Sequence, residues 1–178
     1  WSAADMLALP FDHESFDYVL CQFGMMFVPD KSAALREARR VLKRGGKLFF
    51  SVWDDLARNG MSRVANDVII AFTQPEPIRF VEAVPFAYAD EAQMRDWLMS
   101  AGFEEMKMTP VELDCLSPSA REAALGLVQG TPVVVAVKER DQAQVPALTD
   151  AVAAALAGEF GEKPCRSRMR ALLWETTR

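Results

Sequence analysis

Phe16-Asp17-Tyr18-Val19-Leu20-Cys21-Gln22, set between the turn formers Asp12, Glu14 and Ser15 and the punctuating Gly24, decides the fold. The run is short and rich in aromatic and β-branched residues, which predicts a buried strand. Asp30 then offers an N-cap, and Ala34, Leu35, Ala38, Val41 and Leu42 recur at helical spacing up to Gly45-Gly46, which predict the helix end. Leu48-Phe49-Phe50-Ser51-Val52-Trp53 follows almost without polar interruption, as expected of a parallel strand covered on both faces. Strand, helix and strand in this order form a parallel crossover, so the fold class is α/β.

Downstream, Met61, Val64, Ala65, Val68, Ile69 and Phe72 predict an amphipathic helix, and the proline-punctuated 73–89 predicts an irregular loop. Asp90-Glu91-Ala92-Gln93 has the form of a capping box. The helix it opens carries Met94, Trp97, Leu98 and Ala101 on one face and stops at Gly102. From Phe103 to Cys115 a strand is expected whose alternation slips at Thr109-Pro110, hence at a sheet edge or bulged. Helices are predicted for 117–128, from Thr131-Pro132 to Arg140, and for 145–160, with a last strand over 169–177. Val133-Val134-Val135 competes as a strand by β-propensity, but the charged Lys138-Glu139-Arg140 continues without a turn and favours the helix. With no repeat and no linker, the 178 residues are expected to form a single domain, with helical segments around 58–89 and 117–160.

Composition bounds the function. The chain is 51% apolar and 25% charged with a net charge of −5, which gives no general electrostatic reason to bind nucleic acid or an anionic membrane. No apolar run reaches the roughly 18 residues of a membrane span. Cys21, Cys115 and Cys165 have no paired spacing and His13 stands alone in a polar turn, so neither a disulfide framework nor a metal site is expected, and a reducing cytoplasm fits best. Arg36, Arg39, Arg40, Lys43 and Arg44 gather late in the first helix, where cations complement its dipole, and are read as a solvated face.

Ala4-Asp5-Met6-Leu7-Ala8-Leu9-Pro10-Phe11, the strand after it, and the helix ending Arg39-Arg40-Val41-Leu42-Lys43-Arg44-Gly45-Gly46 together resemble the second half of a class I S-adenosylmethionine-dependent methyltransferase, of the type that acts on quinone precursors and other small metabolites. The resemblance implies a Rossmann-like sheet ordered 3-2-1-4-5-7-6 in the whole enzyme. The glycine-rich cofactor loop and the acidic residue for the ribose hydroxyls would lie upstream of Trp1, so the chain is expected to be the C-terminal part of a truncated enzyme, inactive alone. It also implies that Asp5 accepts a hydrogen bond from the adenine amine and that the Met6 N–H reaches a ring nitrogen. Cys21, Gln22 and Phe23 would border the methionine part of the cofactor, with Gln22 on its amino group or on the substrate, while Met26, Phe27 and Trp53 would wall the acceptor pocket. Catalytic residues are not legible, because an in-line methyl displacement asks mainly for orientation and exclusion of water. Without the preceding strands, 16–22 would lie at a sheet edge and invite association with a second copy. Two other classes share parts of this pattern: a nicotinamide-dependent oxidoreductase with a doubly wound sheet, and a non-catalytic interaction fragment.

Overall fold

The computed structural model of the chain describes residues 2–178; Trp1 lies outside them. β1 (Phe16–Gln22) leads through a 3-10 turn (Met25–Phe27) into α1 (Lys31–Val41), which returns to β2 (Leu42–Trp53). β1 and β2 are parallel, pairing Val19 with Leu48 and Cys21 with Phe50, so the crossover forms as expected. α2 (Gly60–Phe72), α3 (Phe80–Ala83), α4 (Glu91–Ser100), β3 (Glu105–Ser117), α5 (Ala120–Gln129), α6 (Val133–Asp141), α7 (Gln144–Phe160) and β4 (Cys165–Thr177) follow. The sheet runs β1-β2-β4-β3, with β4 antiparallel to β2. That order reproduces the 4-5-7-6 portion of the expected methyltransferase sheet.

Local chemistry accounts for most boundaries. Asp30 Oδ1 accepts from Ala33 N at 2.8 Å and Asp90 Oδ1 from Gln93 N at 3.1 Å, so both expected caps form. Gly102, at φ +89°, closes α4 by donating to Met99 O. A side chain there would press on Arg39, whose Nε donates to Gly102 O at 2.9 Å. α6 forms in place of the competing strand, and Pro110 lies in the edge strand β3, where a missing N–H is tolerated.

Two expectations are corrected. The first helix stops at Val41 rather than at the glycines: Leu42 is already extended (ψ 140°), is fully buried, and pairs with Phe16. Glu14 N and Ser15 N donate to the carbonyls of Arg40 and Val41, satisfying the helix end that the glycines are expected to cap. Gly45 (φ +76°) instead makes a turn within β2, donating to Arg178 O. Nor is β1 a buried strand, since only Val19 and Cys21 turn to the core while Tyr18 and Leu20 are 62% and 75% exposed on the other face. Nothing among the described residues covers that face, so β1 is a half-exposed edge.

Two compact units divide the chain, and β3 and β4 each run through both. One comprises the chain up to Asp54 with Pro85–Val111 and Ala171–Arg178. Its core sets Leu48, Phe50 and Val52 of β2 and Leu172 and Trp174 of β4 against Leu35 and Ala38 of α1 and Met94 and Leu98 of α4. The other, Asp55–Val84 with Glu112–Arg170, is helical apart from its strand ends. There Ile69, Val128, Val133, Leu148, Val152 and Leu156 form the apolar centre.

Candidate functional site

Among the described residues before β1 there is no helix or strand, yet the segment is held firmly. Asp5 makes an Asx-turn, its Oδ1 accepting from Leu7 N at 2.9 Å while its carbonyl accepts from Ala8 N at 3.1 Å. Two residues on, α1 takes hold of the chain. Leu9 N donates to Glu37 Oε2 at 2.9 Å, and Arg40 donates to the carbonyls of Leu9 (2.9 Å) and Phe11 (2.8 Å) while pairing with Glu37 at 2.8 Å. Phe11 then packs edge-on against Phe16 at 5.0 Å. The basic cluster is therefore not simply a solvated face: Arg40 clamps this turn, Arg39 holds Gly102, and Lys43 pairs with Asp17 at 2.9 Å. Each partner is distant in sequence, and none can be read from the helix itself.

The clamp has a pH signature. The Arg40 guanidinium beside Glu37 holds its carboxyl below the usual 4.5, with the Leu9 N–H assisting against the opposing effect of burial. A carboxyl depressed in the folded state contributes stability that is complete above its unfolded pKa and is lost as pH falls through the folded value. As pH falls from about 5 to about 3, melting temperature should therefore drop less steeply in Glu37→Gln than in the unaltered protein. Parallel curves would show that the clamp contributes nothing.

Held this way, Ala3–Leu7 forms one wall of an open groove of about 670 Å³ whose other wall is Gly24, Phe27, Val28 and Pro29. Among the described residues, the second carboxylate oxygen of Asp5 and the backbone N–H of Met6 make no hydrogen bond. The groove thus presents an acceptor next to a donor, the complement of an adenine amino group and its neighbouring ring nitrogen. That donor set fits S-adenosylmethionine.

At the carboxyl end of β1 the chain turns sharply. Phe23 adopts φ +51°, a conformation costly for a bulky residue, and is secured by its N–H donating to Ser51 Oγ at 3.1 Å and by stacking on Trp53 at 4.3 Å. Trp53 stacks in turn on Phe86 at 5.9 Å. Cys21 is half-buried. Burial pushes its thiol pKa up against the opposing pull of the Gly24 and Met25 N–H groups, so it stays a thiol at neutral pH and is no ready nucleophile. A Cβ on Gly24 would lie 2.9 Å from that sulfur, so glycine lets the groove wall approach β1.

The residues singled out from the sequence thus separate into three groups. Asp5, Met6 and Phe27 line the groove. Cys21, Phe23 and Trp53 pack at the end of β1 and β2, with Gln22 exposed beside them. Met26, 2% exposed, points into the core of this unit and does not face the groove. Among the described residues no group of three or more His, Cys, Asp or Glu side chains could hold a metal. Among them, too, no helix is long and apolar enough to cross a membrane.

Comparison with known proteins finds methyltransferases by sequence and by fold. Residues 1–50 match a family described as a methyltransferase domain. Demethylmenaquinone methyltransferase of Staphylococcus aureus is 29% identical over 131 residues, which is 69% of this chain and 50% of that one. The enzyme of the same name from Staphylococcus epidermidis is 57% identical over 42 residues, 24% of this chain and 17% of that one. In fold, the crystal structure of a candidate methyltransferase from Bacillus halodurans superposes over 98% of this chain and 69% of its own at 16% identity, with a TM-score of 0.52. Over residues 1–50 the chain is similar to the methyltransferase domain family, and its sheet order is that of the Rossmann-like α/β fold of class I S-adenosylmethionine-dependent methyltransferases. The chain spans about half the length of the Staphylococcus aureus relative it matches.

Proposed function

We propose that this chain is part of a cytoplasmic methyltransferase that passes the methyl group of S-adenosylmethionine to a small molecule, with a demethylated quinone-type compound as the leading acceptor class. The observation that carries the reading is the groove, in which Asp5 and Met6 offer an adjacent acceptor and donor on an Asx-turn that Glu37 and Arg40 anchor just downstream, at Leu9. The acceptor class rests on the names of the relatives. The three free cysteines suit a reducing compartment.

The bound cofactor would supply a methyl group on a positively charged sulfur. This chain's residues would do the rest by orientation: Asp5 and Met6 hold the adenine, and Cys21, Gln22 and Phe23 border the methionine part. Phe27 and Trp53, with the Phe23 and Phe86 rings stacked on Trp53, exclude water from the acceptor side. Met26 contributes from beneath by packing. Incubating the whole protein with methyl-labelled S-adenosylmethionine and a short-chain demethylated quinol tests the reading. Label is expected in the quinol fraction; label transferred only to amines or to no small molecule would replace the acceptor class.

The edge strand supports a second element of this reading, association between copies. Among the described residues β1 has backbone groups unpaired on one side beside exposed Tyr18 and Leu20, a template for a strand of a second copy wherever no upstream strand of the whole enzyme takes that place. Small-angle scattering should return the mass of a multimer that Leu20→Lys reduces to monomer; a monomeric starting protein overturns it.

A further inference from the structure

Lys31 opens α1, a position where a lysine ordinarily reaches into water, yet it is 6% exposed. No carboxylate pairs with it among the described residues. Its Nζ instead donates to the carbonyls of Met26, at 3.3 Å, and Val28, and sits 4.1 Å from the centre of the Tyr88 ring. The two carbonyls belong to the end of the 3-10 turn, where no backbone N–H among the described residues satisfies them, and a buried carbonyl without a donor is costly. The Tyr88 face supplies the third partner, favourable for a cation removed from water.

What Lys31 joins is informative. Met26 and Val28 belong to the Gly24–Pro29 wall of the groove, with Val28 lining it directly. Tyr88 lies in the short stretch 85–89, where Phe86 stacks on Trp53 and Tyr88 leans on Trp97. One side chain therefore ties the groove wall to the strap that carries the aromatic stack.

We infer that Lys31 is a positioning residue that couples the wall of the cofactor groove to the Phe86–Tyr88 strap on the acceptor side, so that order in one is felt in the other. The coupling rests on the proposed methyl-transfer reading only for the names of the two ligands. The contacts themselves do not depend on it.

The test has two arms on the whole protein. In the first, hydrogen exchange is followed by mass spectrometry in Lys31→Met, Tyr88→Leu and Tyr88→Phe. Lys31→Met and Tyr88→Leu should each speed exchange about tenfold or more in both 24–29 and 86–89, leaving the α7 core unchanged. Tyr88→Phe, which keeps the ring and removes a hydroxyl that makes no hydrogen bond among the described residues, should match the unaltered protein. Faster exchange confined to 24–29 in Lys31→Met, or to 86–89 in Tyr88→Leu, would make Lys31 a local cap and overturn the coupling. Should Lys31→Met fail to fold, the Tyr88 pair decides the question.

In the second arm, S-adenosylhomocysteine is titrated by calorimetry. At least fivefold weaker binding in both Lys31→Met and Tyr88→Leu supports the coupling, because Tyr88 is not among the residues lining the groove. Unchanged affinity in Tyr88→Leu overturns the reach of the coupling to the cofactor. If the unaltered protein binds no S-adenosylhomocysteine, the methyl-transfer reading fails and the exchange arm alone decides the role of Lys31.

Discussion

Trp174→Ala is expected to destabilise the protein by about 3–5 kcal/mol, the range for removing a large aromatic from a packed core. Trp174 is 1% exposed, stacks on Phe50 with ring centres 6.0 Å apart and planes 5° from parallel, and lies under the Arg95 guanidinium at 5.4 Å. It sits on β4 directly opposite Phe50 of β2, so its loss opens a cavity at the middle of the sheet. For a chain of this size, such a loss lowers the melting temperature by roughly 10 °C or more. Trp174→Phe should cost much less, because the indole N–H it removes has no hydrogen-bond partner among the described residues and an aromatic face is retained. Urea unfolding of the two variants checks the claim, and equal losses would show that the indole nitrogen matters more than the stacking.

Asp5→Ala should weaken S-adenosylmethionine binding about ten- to a hundredfold, which corresponds to about 1–3 kcal/mol for one charge-assisted hydrogen bond. The turn complicates this substitution usefully. Asp5 Oδ1 already accepts from Leu7 N, so alanine removes both the turn and the adenine acceptor, whereas Asp5→Asn keeps an oxygen for Leu7 and removes only the charge. Asparagine is therefore expected to lie between alanine and the unaltered protein. If both variants bind as tightly as the parent in calorimetry, Asp5 has no part in the site. If asparagine is normal and alanine is weak, Asp5 acts through the turn alone.

How far the sequence speaks for itself depends on the distance between partners. The crossover from β1 to β2, the caps at Asp30 and Asp90 and the stop at Gly102 involve residues within a turn or two of each other, and their chemistry is local. The end of α1 is not legible in the same way, because its cap comes from Glu14 and Ser15, some 26 residues earlier in the chain. Phe16–Gln22 has the composition of a buried strand; its exposure depends on what packs against it, which no window of residues reveals. The same holds at the site. Asp5 and Met6 are legible through a resemblance of local pattern, whereas the Glu37 and Arg40 clamp reaches back 28 and 31 residues to Leu9 and looks like ordinary helix surface. Lys31 is the sharpest case: a lysine next to an N-cap gives no hint of burial, and the one available signal, an aromatic at Tyr88, lies on another segment. Met26 is expected at the acceptor pocket through the resemblance, as Phe27 is, but in a 3-10 turn successive side chains point in different directions, and of the two only Phe27 lines the groove.

Whether the groove takes an adenosyl sulfonium cofactor comes down to one affinity. Calorimetric titration of the whole protein with S-adenosylhomocysteine, repeated with NADH as the competing class of dinucleotide ligand, measures it. Saturable one-to-one binding of S-adenosylhomocysteine that weakens in Asp5→Ala, with no binding of NADH, is the expected result. Binding of NADH without S-adenosylhomocysteine, or of neither, would contradict a methyltransferase site built on Asp5 and Met6.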